Sequence, residues 1–186
     1  MKKKIISLLM IVIVIAATFF YSYIDKNVYL YDRNADTSNF YGTGVLVEGD
    51  EFAQTFVAKE DCLDGVNIKT AVAGNVENVK VHVELYDEDM NVVAETSVKG
   101  SQLENNKFNI IKFTKVKDTK DKQYTLVISE ENSDEQNGVG FYCVSEEGTL
   151  VARTISKGFD LETFFVALGM IAFIVVFMKI LIKYFK

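Results

Sequence analysis

The stretch Val79-Lys-Val-His-Val-Glu-Leu-Tyr-Asp-Glu-Asp-Met-Asn-Val-Val-Ala-Glu-Thr-Ser-Val98 decides the fold class. Val79, Val81, Val83 and Leu85 fall on one face of an extended chain, and Lys80, His82, Glu84 and Tyr86 on the other. After Asp87-Glu88-Asp89-Met90-Asn91 the alternation resumes, with Val92, Ala94, Thr96 and Val98 on one side and Val93, Glu95 and Ser97 on the other. Successive strand side chains point to opposite faces, so period-two patterning on both sides of an Asp/Asn-rich turn specifies a half-buried antiparallel hairpin.

The same pattern recurs on both sides of this hairpin. Strand-like segments are predicted at Gly44–Val47, Glu51–Ala58, Leu63–Val72, Lys107–Val116, Gln123–Glu130, Val139–Ser145 and Thr149–Ile155. With the hairpin that makes about nine strands, the number and spacing of a two-sheet sandwich. In Lys107–Val116 the apolar face switches from Phe108 and Ile110 to Ile111 and Phe113, as a β-bulge would cause. The chain has no proline, so its breaks depend on glycine and Asx turns, at 73–75, 100–101, 105–106, 132–138 and Gly148. The acids Glu130, Glu131, Asp134 and Glu135 read as a solvated loop.

Charge is segregated along the chain. Residues 25–160 hold 14 basic against 25 acidic residues, and the other six basic residues are Lys2, Lys3, Lys4, Lys179, Lys183 and Lys186. A strongly acidic middle argues against nucleic acid and anionic lipid as partners of that region. Ile5–Ile24 is a run of 20 uncharged residues, enough for about 30 Å of helix. It is read as a signal anchor, the alternative being a cleaved signal peptide. Within the span 161–182 the run Thr163–Ile182 is broken only by Lys179, which can snorkel, while Asp160 stands where an N-cap belongs and Glu162 complements the helix N-terminus. Lysines outside both segments place both termini in the cytoplasm by the positive-inside rule.

The expected organisation is a tail at 1–4, a transmembrane helix at 5–24 and a connector at 25–41. An extracytoplasmic β-sandwich at 42–157, a second transmembrane helix at 161–182 and a tail at 183–186 follow.

The order Phe52-Ala-Gln-Thr-Phe-Val-Ala58, Leu63-Asp-Gly-Val66, Val83-Glu-Leu-Tyr-Asp87 and Tyr124-Thr-Leu-Val-Ile-Ser129 resembles jelly-roll, galactose-binding-like ectodomains. These belong to bacterial membrane proteins of cell-envelope polysaccharide and glycosyltransferase systems. The resemblance covers roughly residues 42–145 and implies an all-β jelly-roll-like antiparallel sandwich flanked by two transmembrane helices. It brings no catalytic motif.

Several residues invite chemistry. His82, the sole histidine, shares a polar face with Glu84 and Tyr86, which makes a small ligand patch or a solvated strand face. It has no nearby Ser or Cys nucleophile to complete a triad. Asp87, Asp89 and Asn91 have the opening spacing of a calcium loop, but Val92 and Val98 stand where an EF-hand needs Gly and Glu. An acidic turn and a structural calcium site are the two readings. Cys62 and Cys143 are the only cysteines, read either as a disulfide or as isolated buried thiols.

The function expected from all this is a non-enzymatic, membrane-anchored binding or accessory module in envelope glycan assembly. Its partners would be the lipid bilayer, a membrane complex, and a glycan or lipid-linked saccharide. The alternative is a sensing or regulatory subunit of a larger membrane complex.

Overall fold

The computed structural model describes residues 2–34, 40–144 and 148–185. Part of the expected connector, Ser145 and both terminal residues lie outside the described residues, as do the side chains of the N-terminal lysines. The chain forms two units, Lys26–Ser156 and the two ends Met1–Asp25 with Lys157–Lys186.

Unit Lys26–Ser156 is built of antiparallel strands in two sheets. The strands are β1 (Tyr23–Tyr29), β2 (Tyr41–Val45), β3 (Glu51–Val57), β4 (Cys62–Ala73), β5 (Lys80–Tyr86), β6 (Val92–Lys99), β7 (Lys107–Lys117), β8 (Gln123–Glu131), β9 (Gly138–Cys143) and β10 (Ala152–Phe159). The first and last of these cross the unit boundary. The second sheet has the order β3-β8-β5-β6, and the first has β1-β10-β4-β9-β2 with β7 also on β4. Gly65–Ile68 of β4 pair with β10, and Thr70–Ala73 pair with β9. Because Thr70 and residues 65–68 pair with β7 as well, β9 and β10 share one edge of β4 end to end, and β7 takes the opposite edge.

The hairpin lies where the alternation puts it. Val79 is 1 % exposed and Val81, Val83 and Leu85 are fully buried, joined in the core by Ile68, Ile111, Leu126, Ile128, Phe141 and Leu150. A register shift between Leu85 and Tyr86 brings Val92 opposite Tyr86, and Val92 is consequently exposed while Ala94 is buried.

The bulge in β7 is not where the apolar switch suggests. Phe108 and Ile110 simply face outward while Asn109, Ile111 and Phe113 face inward, and Ile110 is 60 % exposed. The register shift lies further on, where Leu63 pairs Val116 but Gly65 pairs Lys112. Gly65 is needed there, since a Cβ would stand 2.5 Å from the Ile111 carbonyl oxygen. Inside the same strand the buried Asn109 donates to Thr70 Oγ1 (2.8 Å) and to the carbonyls of Glu104 and Lys107, and accepts from the Glu104 amide. An inward amide is tolerated because every group it brings is partnered.

Two further expectations are corrected. Residues 25–29 of the expected connector belong instead to strand β1, hydrogen-bonded to β10. The uncharged run Ile5–Ile24 is not one helix either: α1 (Lys2–Tyr21) stops at Ser22, whose hydroxyl donates to the Thr18 carbonyl, and Tyr23 and Ile24 enter β1. Among the described residues one helix, α2 (Leu161–Tyr184), is long and apolar enough to cross a membrane, and α1 offers the shorter apolar stretch Leu9–Tyr21. A second span therefore has no support from the structure. Asp160 caps α2 as expected, its Oδ1 accepting from the Thr163 amide at 2.6 Å.

Candidate functional site

His82, Glu84 and Tyr86 lie together on the outer face of the second sheet, because β5 buries its odd-numbered residues. Cross-strand register puts His82 opposite Ser129 and Ser97, and Glu84 opposite Val127 and Glu95. Contrary to the expectation that His82 has no serine nearby, its Nδ1 pairs with Ser97 Oγ at 2.8 Å across the β5–β6 ladder, and its Nε2 lies 3.4 Å from Glu131 Oε2. Lys80 donates to that same oxygen at 3.0 Å, and this bond together with the charge of Lys80 holds the Glu131 carboxyl below its ordinary range. Tyr86 donates to Glu84 Oε2 at 2.7 Å, which raises the phenol's pKa. The face is thus a ladder of mutually satisfied polar pairs. At its end is a groove of about 600 Å³ lined by Glu77, Asn78, Lys80, Lys99 and Asn132.

Asp87, Asp89 and Asn91 close the β5–β6 turn. Asp87 Oδ1 accepts from the Asp89 amide (3.0 Å), the Asn91 amide (2.8 Å) and the Asn91 side-chain nitrogen (3.3 Å). Those hydrogen bonds, the Asn91 backbone first, lower the Asp87 pKa. Met90 takes a left-handed conformation at φ 61° to complete the turn. No group of three His, Cys, Asp or Glu side chains suited to a metal occurs among the described residues.

The two cysteines are not bonded to each other. Cys62 opens β4, opposite Lys117, while Cys143 ends β9, two residues beyond the Thr70–Phe141 pair. Their levels along β4 differ by about six residues, or about 20 Å at the rise of a strand, well beyond disulfide reach. Burial pushes both thiols upward in pKa.

Two features were not anticipated. Glu130 is not solvated loop: it is the last inward residue of β8, continuing the Tyr124, Leu126, Ile128 alternation, and is 4 % exposed. Its burial raises the carboxyl pKa to about 7. The other feature is a cluster of cations and rings on the outer face of the first sheet. Arg153 Cζ lies 4.5 Å from the Tyr29 ring centroid and 4.3 Å from that of Phe108, and Arg33 Cζ lies 5.5 Å from Tyr29. Lys69 Nζ sits 4.7 Å from the Phe40 ring and 4.8 Å from that of Tyr142. Tyr29 and Arg153 are over a hundred residues apart in a chain with no repeat, so the sequence carried no signal for their meeting.

The sequence matches no known protein family and no curated protein. Among solved structures, the chain is similar to a Paenibacillus cycloisomaltooligosaccharide glucanotransferase complexed with cycloisomaltoheptaose, at 15 % identity and TM-score 0.35. That match covers 72 % of this chain and 17 % of the other. The xylan-binding module CBM15 matches at 11 % identity and TM-score 0.35, over 72 % of this chain and 97 % of the module. A glycosylation-associated protein complex from Streptococcus agalactiae matches at 10 % identity and TM-score 0.28, over 72 % and 44 %. Scores of this size establish neither a shared function nor a family.

Proposed function

We propose that the chain is a membrane-anchored, non-enzymatic binding module whose β-sandwich is displayed outside the cell and contacts glycan or a partner protein in envelope glycan assembly. The observation that carries this reading is the pairing of β1 with β10. These two neighbouring strands are the ones continuous in the chain with α1 and α2. Both ends of the sandwich therefore lie on neighbouring strands at one side of the first sheet. α2 has the length and hydropathy of an anchor, and Lys179, Lys183 and Lys186 at its C-terminal end, by the positive-inside rule, support an acidic sandwich on the outer side.

The strand order supports a jelly roll in particular. β2-β9-β4-β7 in one sheet and β3-β8-β5-β6 in the other is the alternation of two Greek keys in an eight-stranded jelly roll, with β1 and β10 added at one end. The contact face nearest to hand is the His82, Glu84 and Tyr86 row with the groove at its end.

The test is carbonate extraction of membranes containing the full chain, followed by binding of the detergent-solubilised chain to an array of envelope saccharides. The expected result is retention in the membrane pellet and binding that heat denaturation abolishes. A chain released by carbonate, or one that binds no saccharide and purifies without a membrane partner, contradicts the proposal.

A further inference from the structure

The chain contains two arginines, Arg33 and Arg153, and both lie over the ring of Tyr29. One comes from the segment after β1 and the other from β10, so only the fold brings them together. Opposite charge is plentiful in this chain, with 26 acidic residues, yet among the described residues neither arginine makes an ion pair. Arg153 is also sandwiched against Phe108, and its Nε is buried with no acceptor.

These observations have a common chemical meaning. Stacking on a ring occupies the flat face of a guanidinium and leaves its N–H edge free to bond in the plane. A buried N–H without an acceptor costs about 1–3 kcal/mol, and nothing in the described chain offsets that. Asn67 lies directly opposite Arg153 on β4, and its Oδ1, also buried and unpartnered, is an acceptor that calls for a donor such as a saccharide hydroxyl and not for the oxyanion. Lys69, two residues on and facing the same side, adds a third cation held between Phe40 and Tyr142. In a protein of net charge −6 this is a concentrated cationic spot, built by rings rather than by carboxylates.

We propose that Arg33 and Arg153 form an oxyanion-binding site on the outer face of the first sheet, which takes a carboxylate or phosphate group borne by a saccharide. The oxyanion accepts from guanidinium N–H groups, the charge-assisted contact that carboxylates and phosphates make with arginine. The saccharide portion rests on the reading of the sandwich as a glycan-contacting module, whereas the oxyanion portion does not.

Calorimetric titration of the full chain in detergent micelles tests it, with four probes: an oligogalacturonate, a neutral galactose oligosaccharide of the same length, glucose 1-phosphate and inorganic phosphate. The variants are Arg33→Gln, at an exposed position, and Arg153→Lys, which keeps the charge and removes the fork. The oligogalacturonate or the sugar phosphate is expected to bind wild type, more weakly as salt is raised. Each variant should weaken that binding by about tenfold or more, Arg33→Gln through the lost charged donor and Arg153→Lys through the lost planar fork. Inorganic phosphate that binds with the same arginine dependence supports the oxyanion site. If it is the sole probe bound, the saccharide portion fails. A neutral oligosaccharide that binds while every anion fails overturns the site and leaves the glycan reading standing. Anion binding that is unchanged in Arg33→Gln, with the melting temperature also unchanged, overturns it as well.

Discussion

Both carboxylate oxygens of Glu130 receive the amide of Val139, at 3.2 and 3.1 Å, and so tie β8 of one sheet to β9 of the other. The amide favours the ionised acid, but burial at 4 % exposure prevails, and the pKa rises from 4.5 to about 7.

The folded protein therefore holds this proton more tightly than the unfolded chain does. The contribution to stability is fully present below pH 4.5 and is lost as pH rises through about 7. The loss is on the order of 3 kcal/mol, at 1.36 kcal/mol per unit of pKa. Glu130→Gln, neutral at every pH, should flatten this part of the profile. Urea unfolding of both proteins at pH 5 and pH 8 measures it: the variant gains on wild type at pH 8 and not at pH 5. A difference independent of pH would mean that Glu130 does not titrate in this window.

Asn109 satisfies four groups at once, among them the fully buried Thr70 hydroxyl and the Glu104 amide. Asn109→Ala is expected to cost about 2–3 kcal/mol, because the partners stay buried and unpaired. Denaturant unfolding should register this as a lower midpoint with an unchanged slope. A loss below half that value would indicate that water replaces the amide.

At the β5–β6 turn, Asp87 is a hydrogen-bond acceptor for its own loop. Its lowered pKa means that this stabilisation is present above the unfolded pKa and fades as pH falls. Asp87→Ala should lower the melting temperature, whereas millimolar calcium should leave that of wild type unchanged. A calcium-dependent rise that Asp87→Ala abolishes would assign a cation to the loop.

The separation of Cys62 from Cys143 predicts that melting curves with and without reductant coincide, and that non-reducing electrophoresis shows no internally cross-linked band. A reductant-sensitive melt would require β4 and β9 to pair in another register.

What the sequence made legible followed from alternation. The hairpin, and the strands β3, β4, β7, β8 and β9, lie within a residue or two of their expected places, because a buried sheet face imposes its period on the side chains. The ends were harder. β1 begins inside an uncharged run, and composition alone does not mark where the Ser22 turn converts helix to strand. Glu130 was readable after all, since parity with Ile128 points it inward, but its acidic neighbours suggested a loop. The Arg153–Tyr29 contact depends on β1 and β10 being neighbours, and sequence gives no measure of that. The polar row of His82, Glu84 and Tyr86 was placed on one face correctly, while the groove beside it is made by residues from three separate segments.

The most direct test of the account is external proteolysis of intact spheroplasts that express the chain with a C-terminal tag. Display of the sandwich outside, with the tag inside, predicts that the full-length band disappears and a small tagged fragment containing α2 remains. A full-length band that survives until the cells are lysed, or a tag removed together with the sandwich, would contradict it.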